Sequence, residues 1–254
     1  MSSAERKSSK VILWSTPRSL STVLTKCLSF VLKSVIWFEP YNTYKWCKEQ
    51  LEAEYRDKSV VFVQAKADAL STRYDAIPRG YKHSFLIRNP LKVLLSWRKA
   101  VYKIMKPDTA LETFKLSTES QLPPGYFFKE MYDLYQYIKE NYESNPIILD
   151  ADDLLMNPGG VLKAYCNSMD IPYTDDLLHW DPSGDVIMTW KTRSILLKLQ
   201  QLADFTFIDK AITSSEFLKP TKRPSREDLT EDDLQCIDFC MPYYEKMYEK
   251  RLIC

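Results

Sequence analysis

The sequence predicts a single α/β domain, built on a parallel sheet of about five strands with helices on both faces. The main observation is an alternation. Short runs of apolar residues are followed by longer stretches in which apolar residues recur at helical spacing. The chain of 254 residues is long enough for one large domain. We predict that this domain covers residues 11–254 and that the polar residues 1–10 form a flexible tail.

The strands and helices follow in order along the chain. The apolar runs predicted as strands are Val11–Trp14, Val35–Phe38, Val60–Ala65, Ser84–Arg88 and Pro146–Ala151. The helices predicted between and after them cover Leu20–Leu32, Thr43–Arg56, Pro90–Met105, Tyr126–Tyr142 and Pro158–Met169. Two of these helices begin with an asparagine cap and a proline at the first helical position, in Asn89-Pro90 and Asn157-Pro158.

The remaining segments are less regular. Residues 106–125 contain several prolines and are predicted as a loop, and residues 175–225 show no clear pattern. A last helix is predicted to begin after the capping pair of Thr230 and Asp233 and to run to Leu252. Pro242 is expected to kink this helix, because proline removes a backbone hydrogen bond.

Charge and glycine content exclude several classes of function. The 35 basic and 34 acidic residues give a net charge of +1, which argues against a nucleic-acid partner. No apolar run approaches the roughly 18–20 residues that span a bilayer, so we expect no membrane partner. The five glycines form neither a G-x-G-x-x-G nor a G-x-x-x-x-G-K-[ST] loop, which excludes the standard dinucleotide and Walker-type phosphate sites.

Cysteine and histidine spacing predicts no metal site. None of the six cysteines forms a C-x-x-C pair, and two histidines are too few for a three-histidine site. Because the polar start of the chain does not look like a secretory signal, we expect reduced thiols in a cytoplasmic protein.

The first strand-to-helix turn is a candidate anion site. It reads Ser15-Thr16-Pro17-Arg18-Ser19-Leu20-Ser21-Thr22. Such a turn presents free backbone N–H groups and the positive end of a helix dipole. Arg18 adds a planar guanidinium suited to a bidentate contact with phosphate or sulfate. A serine-rich helix cap with a surface arginine would give the same sequence.

A second candidate segment lies at the end of the fourth predicted strand. It reads Phe85-Leu86-Ile87-Arg88-Asn89-Pro90, and Ser96 follows about two helical turns later. In open parallel sheets, ligands bind at the carboxyl ends of the strands, where both Arg18 and Arg88 are predicted to lie. Two arginines at one edge indicate a ligand with two separated anionic groups. A structural ion pair of Arg88 with a carboxylate is the alternative.

Together the two segments resemble the nucleotide-binding motifs of sulfotransferases that use 3′-phosphoadenosine 5′-phosphosulfate (PAPS). The resemblance implies the P-loop-NTPase-like sulfotransferase fold, with the first loop around the 5′-phosphosulfate. In that loop Arg18 would lie near the transferring sulfuryl group, and the cradle would be Ser19, Leu20, Ser21 and Thr22. Arg88 and Ser96 would bind the 3′-phosphate. The stretch 240–245 is similar to a sulfotransferase-like subgroup whose members bear aminotransferase names.

The resemblance also implies candidates for the base that takes the acceptor's proton. Some sulfotransferases use a glutamate after the second strand, where this chain has Glu39. The cytosolic family uses a histidine after the third strand, where this chain has Asp68. A carboxylate is a weak base unless desolvation raises its pKa, and the apolar neighbours of Glu39 favour it over Asp68. Lys66 matches a lysine that steers the sulfuryl oxygens.

The function implied by the resemblance is transfer of a sulfuryl group from PAPS to a hydroxyl or amine of a small-molecule acceptor, without a metal, leaving 3′,5′-adenosine bisphosphate (PAP). Two alternatives stay open. One is a magnesium-dependent kinase of related fold, which could use Asp150, Asp152 and Asp153. The other is an inactive nucleotide-binding protein. Trp180 and Trp190 could stack on adenine, although burial in the core is the expected role of both.

Overall fold

The protein is described by a computed structural model over residues 8–42, 47–105, 108, 110–192, 208–219, 226 and 229–254. Most of the predicted tail at residues 1–10 lies outside these ranges. Ser9 and Lys10, at the end of that segment, already belong to the first strand. Among the described residues, no helix is long and apolar enough to span a bilayer.

One parallel sheet of six strands forms the centre of the molecule. Its strands are β1 (Ser9–Ser15), β2 (Ser34–Phe38), β3 (Val60–Lys66), β4 (Lys82–Ile87), β5 (Ile147–Asp150) and β6 (Lys191–Thr192). Their order across the sheet is β5-β4-β1-β3-β2-β6. The predicted count of about five strands is therefore one too low, since β6 has only two residues and leaves no apolar run in the sequence.

Helices cover both faces of this sheet. They are α1 (Ser21–Ser29), α2 (Cys47–Glu52), α3 (Pro90–Met105), α4 (Leu116–Glu119), α5 (Phe128–Asn141), α6 (Ala151–Met156), α7 (Pro158–Ser168), α8 (Asp209–Ile212) and α9 (Glu231–Tyr248). Several of them differ from the prediction. The short helices α4, α6 and α8 were not predicted, and α4 lies inside the predicted loop. Helix α1 ends three residues before Leu32, α2 ends four residues before Arg56, and α9 ends before Leu252.

The alternating residues of β1 divide the apolar core between the two faces. Ile12 and Trp14 belong to a cluster that includes residues of α5 and α9, whereas Val11 and Leu13 belong to a cluster with residues of α1 and α7. This two-sided burial is why β1 and β3 contain runs of consecutive apolar residues rather than a strict alternation. The cysteines are free thiols, as predicted.

Both edges of the sheet are short or covered. At one edge, the described residues of β6 pair with Trp37 and Phe38 of β2. At the other edge, the backbone amide of Leu252 donates to the carbonyl of Ile148 in β5 at 2.8 Å. The residues after α9 therefore occupy part of the hydrogen-bonding edge of β5.

The strand order determines where the candidate residues meet. The chain fills the sheet from β1 through β2 and β3 on one side and through β4 and β5 on the other. The order thus reverses beside β1, and such a reversal opens a crevice at the carboxyl ends of the strands. The turn after β1 faces this crevice between the ends of β3 and β4.

Candidate functional site

The turn between β1 and α1 adopts a left-handed backbone at two residues that are not glycine. Arg18 has φ 62°, and Leu20, the residue that precedes α1, has φ 72° and ψ 10°. The Ser19 hydroxyl donates to the carbonyl of Thr16 at 2.7 Å and closes the turn. Among the described residues, no side chain caps the first turn of α1, so its backbone N–H groups are available to an anion.

Three of the predicted nucleotide-binding residues come together at this turn. Nε of Arg18 donates to the Ser96 hydroxyl at 2.9 Å, and Nη1 of Arg88 donates to the backbone carbonyl of Arg18 at 2.9 Å. Burial lowers the pKa of Arg18, and the charge of Arg88 lowers it further. Two guanidinium groups that repel each other at the end of a helix dipole form a strongly anion-attracting site.

Arg88 has a carboxylate neighbour, but the pair is loose. Its Nε lies 3.9 Å from Oδ1 of Asp152 and makes no hydrogen bond to a described residue, while Lys92 binds the other oxygen of Asp152 at 2.6 Å. Burial lowers the pKa of Arg88, and Asp152 and Asp150 oppose that shift. The structural ion pair considered from the sequence therefore exists only in part, and Arg88 keeps donors for a ligand.

Glu39 and Lys66 form a second group at the ends of β2 and β3. Their carboxylate and ammonium lie 3.2 Å apart, and the Glu39 side chain is only 5% exposed. Glu39 has φ 47°, and its backbone amide donates to the carbonyl of Gln64 at 2.8 Å. This bond holds Glu39 in its left-handed conformation beside the end of β3.

Gln64 is a residue that the sequence analysis missed. Its Nε2 donates to the Ser15 hydroxyl at 2.9 Å, so Gln64 connects Glu39 to the last residue of β1. Its Oε1 is buried and has no hydrogen-bond partner among the described residues. The sequence did contain a signal for Gln64, which is an amide side chain within the apolar run of β3. A buried amide costs free energy unless it is hydrogen-bonded, so a polar partner was to be expected.

Asp68 and Glu130 are two further carboxylates near the end of β3, and their charges interact. Asp68 opens a helical turn after β3, and burial raises its pKa to about 6; Lys66 opposes this shift, and Glu130 and Glu39 add to it. Glu130 lies in the first turn of α5 and accepts a hydrogen bond from the amide of Gly125 at 2.7 Å. No motif in the sequence could have placed Glu130 here, since it reaches the site through tertiary packing.

The aspartates at the end of β5 are engaged by protein groups. Asp150 caps α6 by accepting from the amide of Asp152 at 2.8 Å and also accepts from the Tyr244 hydroxyl at 3.1 Å. Asp153 pairs with Arg251 at 2.7 Å. A magnesium ion would have to displace these partners. Within the described part of the chain, no cluster of three or more acidic, histidine or cysteine side chains could hold a metal ion.

The two tryptophans considered for adenine stacking are both buried in the core, as expected. Trp190 packs on Phe38 with ring centroids 5.0 Å apart and donates to the Ser29 hydroxyl at 2.8 Å. Trp180 donates to the carbonyl of Ser214 at 2.7 Å.

Comparisons with known proteins agree with this architecture. No family model matches the chain. Two curated Arabidopsis thaliana proteins do: branched-chain-amino-acid aminotransferase-like protein 2 is 25% identical over 91% of this chain and 40% of its own length, and protein 1 is 26% identical over 72% and 34%. The chain thus spans less than half of the relatives it matches.

Solved structures give the decisive similarity. Mouse sulfotransferase SULT7A1, complexed with PAP, has a TM-score of 0.52 at 12% identity, over 96% of this chain and 90% of that one. The chain has a sulfotransferase fold. The sulfotransferase domain from the curacin biosynthetic pathway is similar over 92% of this chain and 98% of its own, with 11% identity and a TM-score of 0.49. In SULT7A1 as here, the sulfotransferase fold extends over nearly the whole chain, which confirms the predicted fold class.

Proposed function

We propose that the protein is a sulfotransferase that moves a sulfuryl group from PAPS to a hydroxyl or amine of a small-molecule acceptor. The observation that carries the proposal is the contact network of Arg18, Arg88 and Ser96 at the first turn of α1. It provides positive charge for two anionic groups at one strand-to-helix turn. The similarity to a sulfotransferase complexed with PAP supports the identity of the donor.

The basic residues of the site would have different roles in sulfuryl transfer. PAPS supplies the sulfuryl group and leaves as PAP. Arg18 and the N–H groups at the start of α1 stabilise the charge that develops on the departing phosphate oxygen. Arg88 and Ser96 hold the 3′-phosphate, which does not change in the reaction. Lys66 faces the transferring group and neutralises part of its charge.

We assign the base to Glu39. It is held at the crevice by its backbone bond to Gln64 and its ion pair with Lys66. The acceptor's proton would pass to this carboxylate as the acceptor oxygen or nitrogen attacks sulfur. Glu39→Gln should lower kcat strongly while Asp68→Asn leaves the chemical step active. The reverse pattern would move the base to Asp68.

Calorimetry of nucleotide binding tests the donor assignment. PAP is titrated in buffer with EDTA, and ATP is titrated with and without magnesium. Tight PAP binding in EDTA supports sulfuryl transfer, whereas ATP binding that requires magnesium supports a kinase. Transfer of labelled sulfate from PAPS to a panel of phenols, alcohols and amines then separates an enzyme from an inactive nucleotide-binding protein.

A further inference from the structure

Near the carboxyl end of β3 lie two carboxylates that have no role in the proposed reaction, in addition to Glu39. Glu39 pairs with Lys66, Asp68 follows two residues later, and Glu130 lies close enough for its charge to act on Asp68. The helix that carries Glu130 packs over the segment after β3, where Tyr74 stacks on Tyr137 with ring centroids 4.2 Å apart. The charge of Asp68 is thus influenced by one ammonium group, that of Lys66, and by two other carboxylates, those of Glu39 and Glu130.

Two of these carboxylates each have an oxygen without a partner. Oδ1 of Asp68 and Oε2 of Glu130 are buried and make no hydrogen bond within the described part of the chain. The other oxygen of Glu130 is held by the Gly125 amide, so the orientation of this carboxylate is fixed. A buried carboxylate without a donor is unfavourable, and an incoming cation or hydrogen-bond donor relieves that cost.

The charges of the residues that the structure describes do not relieve it. Lys66 is the cation that lowers the pKa of Asp68, and it is already paired with Glu39. Protonation of Asp68 would remove one of these negative charges in acid. At neutral pH, above the Asp68 pKa of about 6, the repulsion returns.

We propose that Asp68 and Glu130 bind a protonated amino group of the acceptor. This inference rests on the proposed function and specifies its substrate class as a molecule with a cationic amine at one end and a hydroxyl at the other. The hydroxyl proton passes to the Glu39 carboxylate while the hydroxyl oxygen forms the new bond to sulfur. The bond from sulfur to the phosphate oxygen of PAPS breaks, and its electron pair leaves with PAP beside Arg18.

Matched pairs of small probes test the amine site. Tyramine and 4-propylphenol differ by an ammonium in place of a methyl group, and 5-aminopentan-1-ol and hexan-1-ol differ in the same way without a ring. Each is titrated calorimetrically at pH 7.5 with and without PAP. The cationic member of a pair should bind at least tenfold more tightly. Equal affinity within both pairs overturns the inference, and so does weak or absent binding of all four probes.

Substitutions of Asp68 and Glu130 test whether these two carboxylates cause the preference for the cationic probes. Asp68→Asn and Glu130→Gln should each reduce it, and the double variant should abolish it. The control is Asp133→Asn, which removes a carboxylate from the same helix, where Asp133 pairs with Lys129 at the surface. A preference that survives in the double variant contradicts the inference. Thermal unfolding shows whether each variant is folded. If one of the single variants does not fold, the amine preference of the other single variant tests the inference.

The same titrations separate this inference from the proposed function. Asp68→Asn and Glu130→Gln should bind PAP with wild-type affinity, because neither residue touches the proposed nucleotide site. If PAP binds but the amine preference is absent, the substrate class is wrong and the sulfotransferase proposal stands. If the amine preference is present but PAP does not bind, the sulfotransferase proposal fails.

Discussion

Arg18 and Arg88 lie in one hydrogen-bonded unit, yet their removal should have different consequences. Arg18 is placed to act on charge that moves during transfer, so Arg18→Ala should lower kcat by ~10²–10³-fold, as for a lost oxyanion donor. Arg88 is placed to bind a group that does not change, so Arg88→Ala should weaken PAP binding by roughly 1.5–3 kcal/mol. Steady-state kinetics with PAPS and calorimetry with PAP measure the two effects.

The ratio of affinities for nucleotides with and without a 3′-phosphate tests the role of Arg88 more specifically than PAP affinity alone. The wild-type protein should bind PAP more tightly than adenosine 5′-monophosphate, and Arg88→Ala should remove that difference. Lys99→Ala is the control, because it removes a positive charge from an exposed position on α3. If Arg88→Ala keeps the preference, the second motif has another role and the sulfotransferase proposal loses half of its support.

At the scale of elements, glycine should be more stabilising than alanine in the turn before α1, which is the opposite of their usual order inside a helix. Leu20 has a left-handed backbone, which costs a residue with a Cβ atom about 1–2 kcal/mol. We expect Leu20→Gly to be more stable than Leu20→Ala by about 1 kcal/mol. Urea unfolding measures the difference. Lys99, which lies inside α3, is the control position. There Lys99→Gly should be less stable than Lys99→Ala by about 1 kcal/mol.

A buried ion pair joins α3 to α9 and should contribute far more to stability than a surface pair. Nη1 of Arg98 lies 2.7 Å from both oxygens of Asp233, whose side chain is fully buried. Asp233→Ala leaves Arg98 buried without its partner, so the free energy of unfolding should fall by about 3–5 kcal/mol. Asp238→Ala, which breaks the exposed pair with Arg226, should cost under about 1 kcal/mol. Similar losses for both variants in urea unfolding would contradict this account.

For the whole molecule, acid stability should depend on His83. This side chain is buried in β4, not before it as the sequence suggested, and its Nδ1 accepts a hydrogen bond from Trp14 at 3.1 Å. Burial lowers its pKa to about 4, below the ordinary value of 6.5. Between these values the unfolded chain binds a proton that the folded protein does not. The contribution of His83 to the free energy of unfolding should therefore decrease as the pH falls through this window.

The comparison with His83→Asn isolates this effect. Asp68 and Asp150, whose pKa values burial raises to about 6, titrate in the same window with the opposite sign. Both are unchanged in the variant, so they cancel from the difference. The stability of the wild type relative to His83→Asn should fall by on the order of 3 kcal/mol between pH 7 and pH 4. A constant difference across that range would show that His83 does not titrate as described.

The sequence predicted those parts of the fold that depend on local pattern. The five longer strands, most helix starts and the meeting of Arg18 with Arg88 all follow from apolar runs, proline caps and the rule that parallel strands end at one edge. β6 and α4 were missed because elements this short carry no periodic signal. Glu130 was missed because only the packing of α5 over the segment after β3 brings it to the site.

The sheet borders described above have a consequence for handling the protein. An open β-edge is a template on which further strands can add, and from such contacts come domain swapping and fibrils. Among the described residues, one border ends in the two-residue strand β6, and the other is partly occupied by the backbone at Leu252. In the part of the chain that the structure describes, this apolar parallel sheet therefore presents only short stretches of free donors and acceptors to neighbouring molecules.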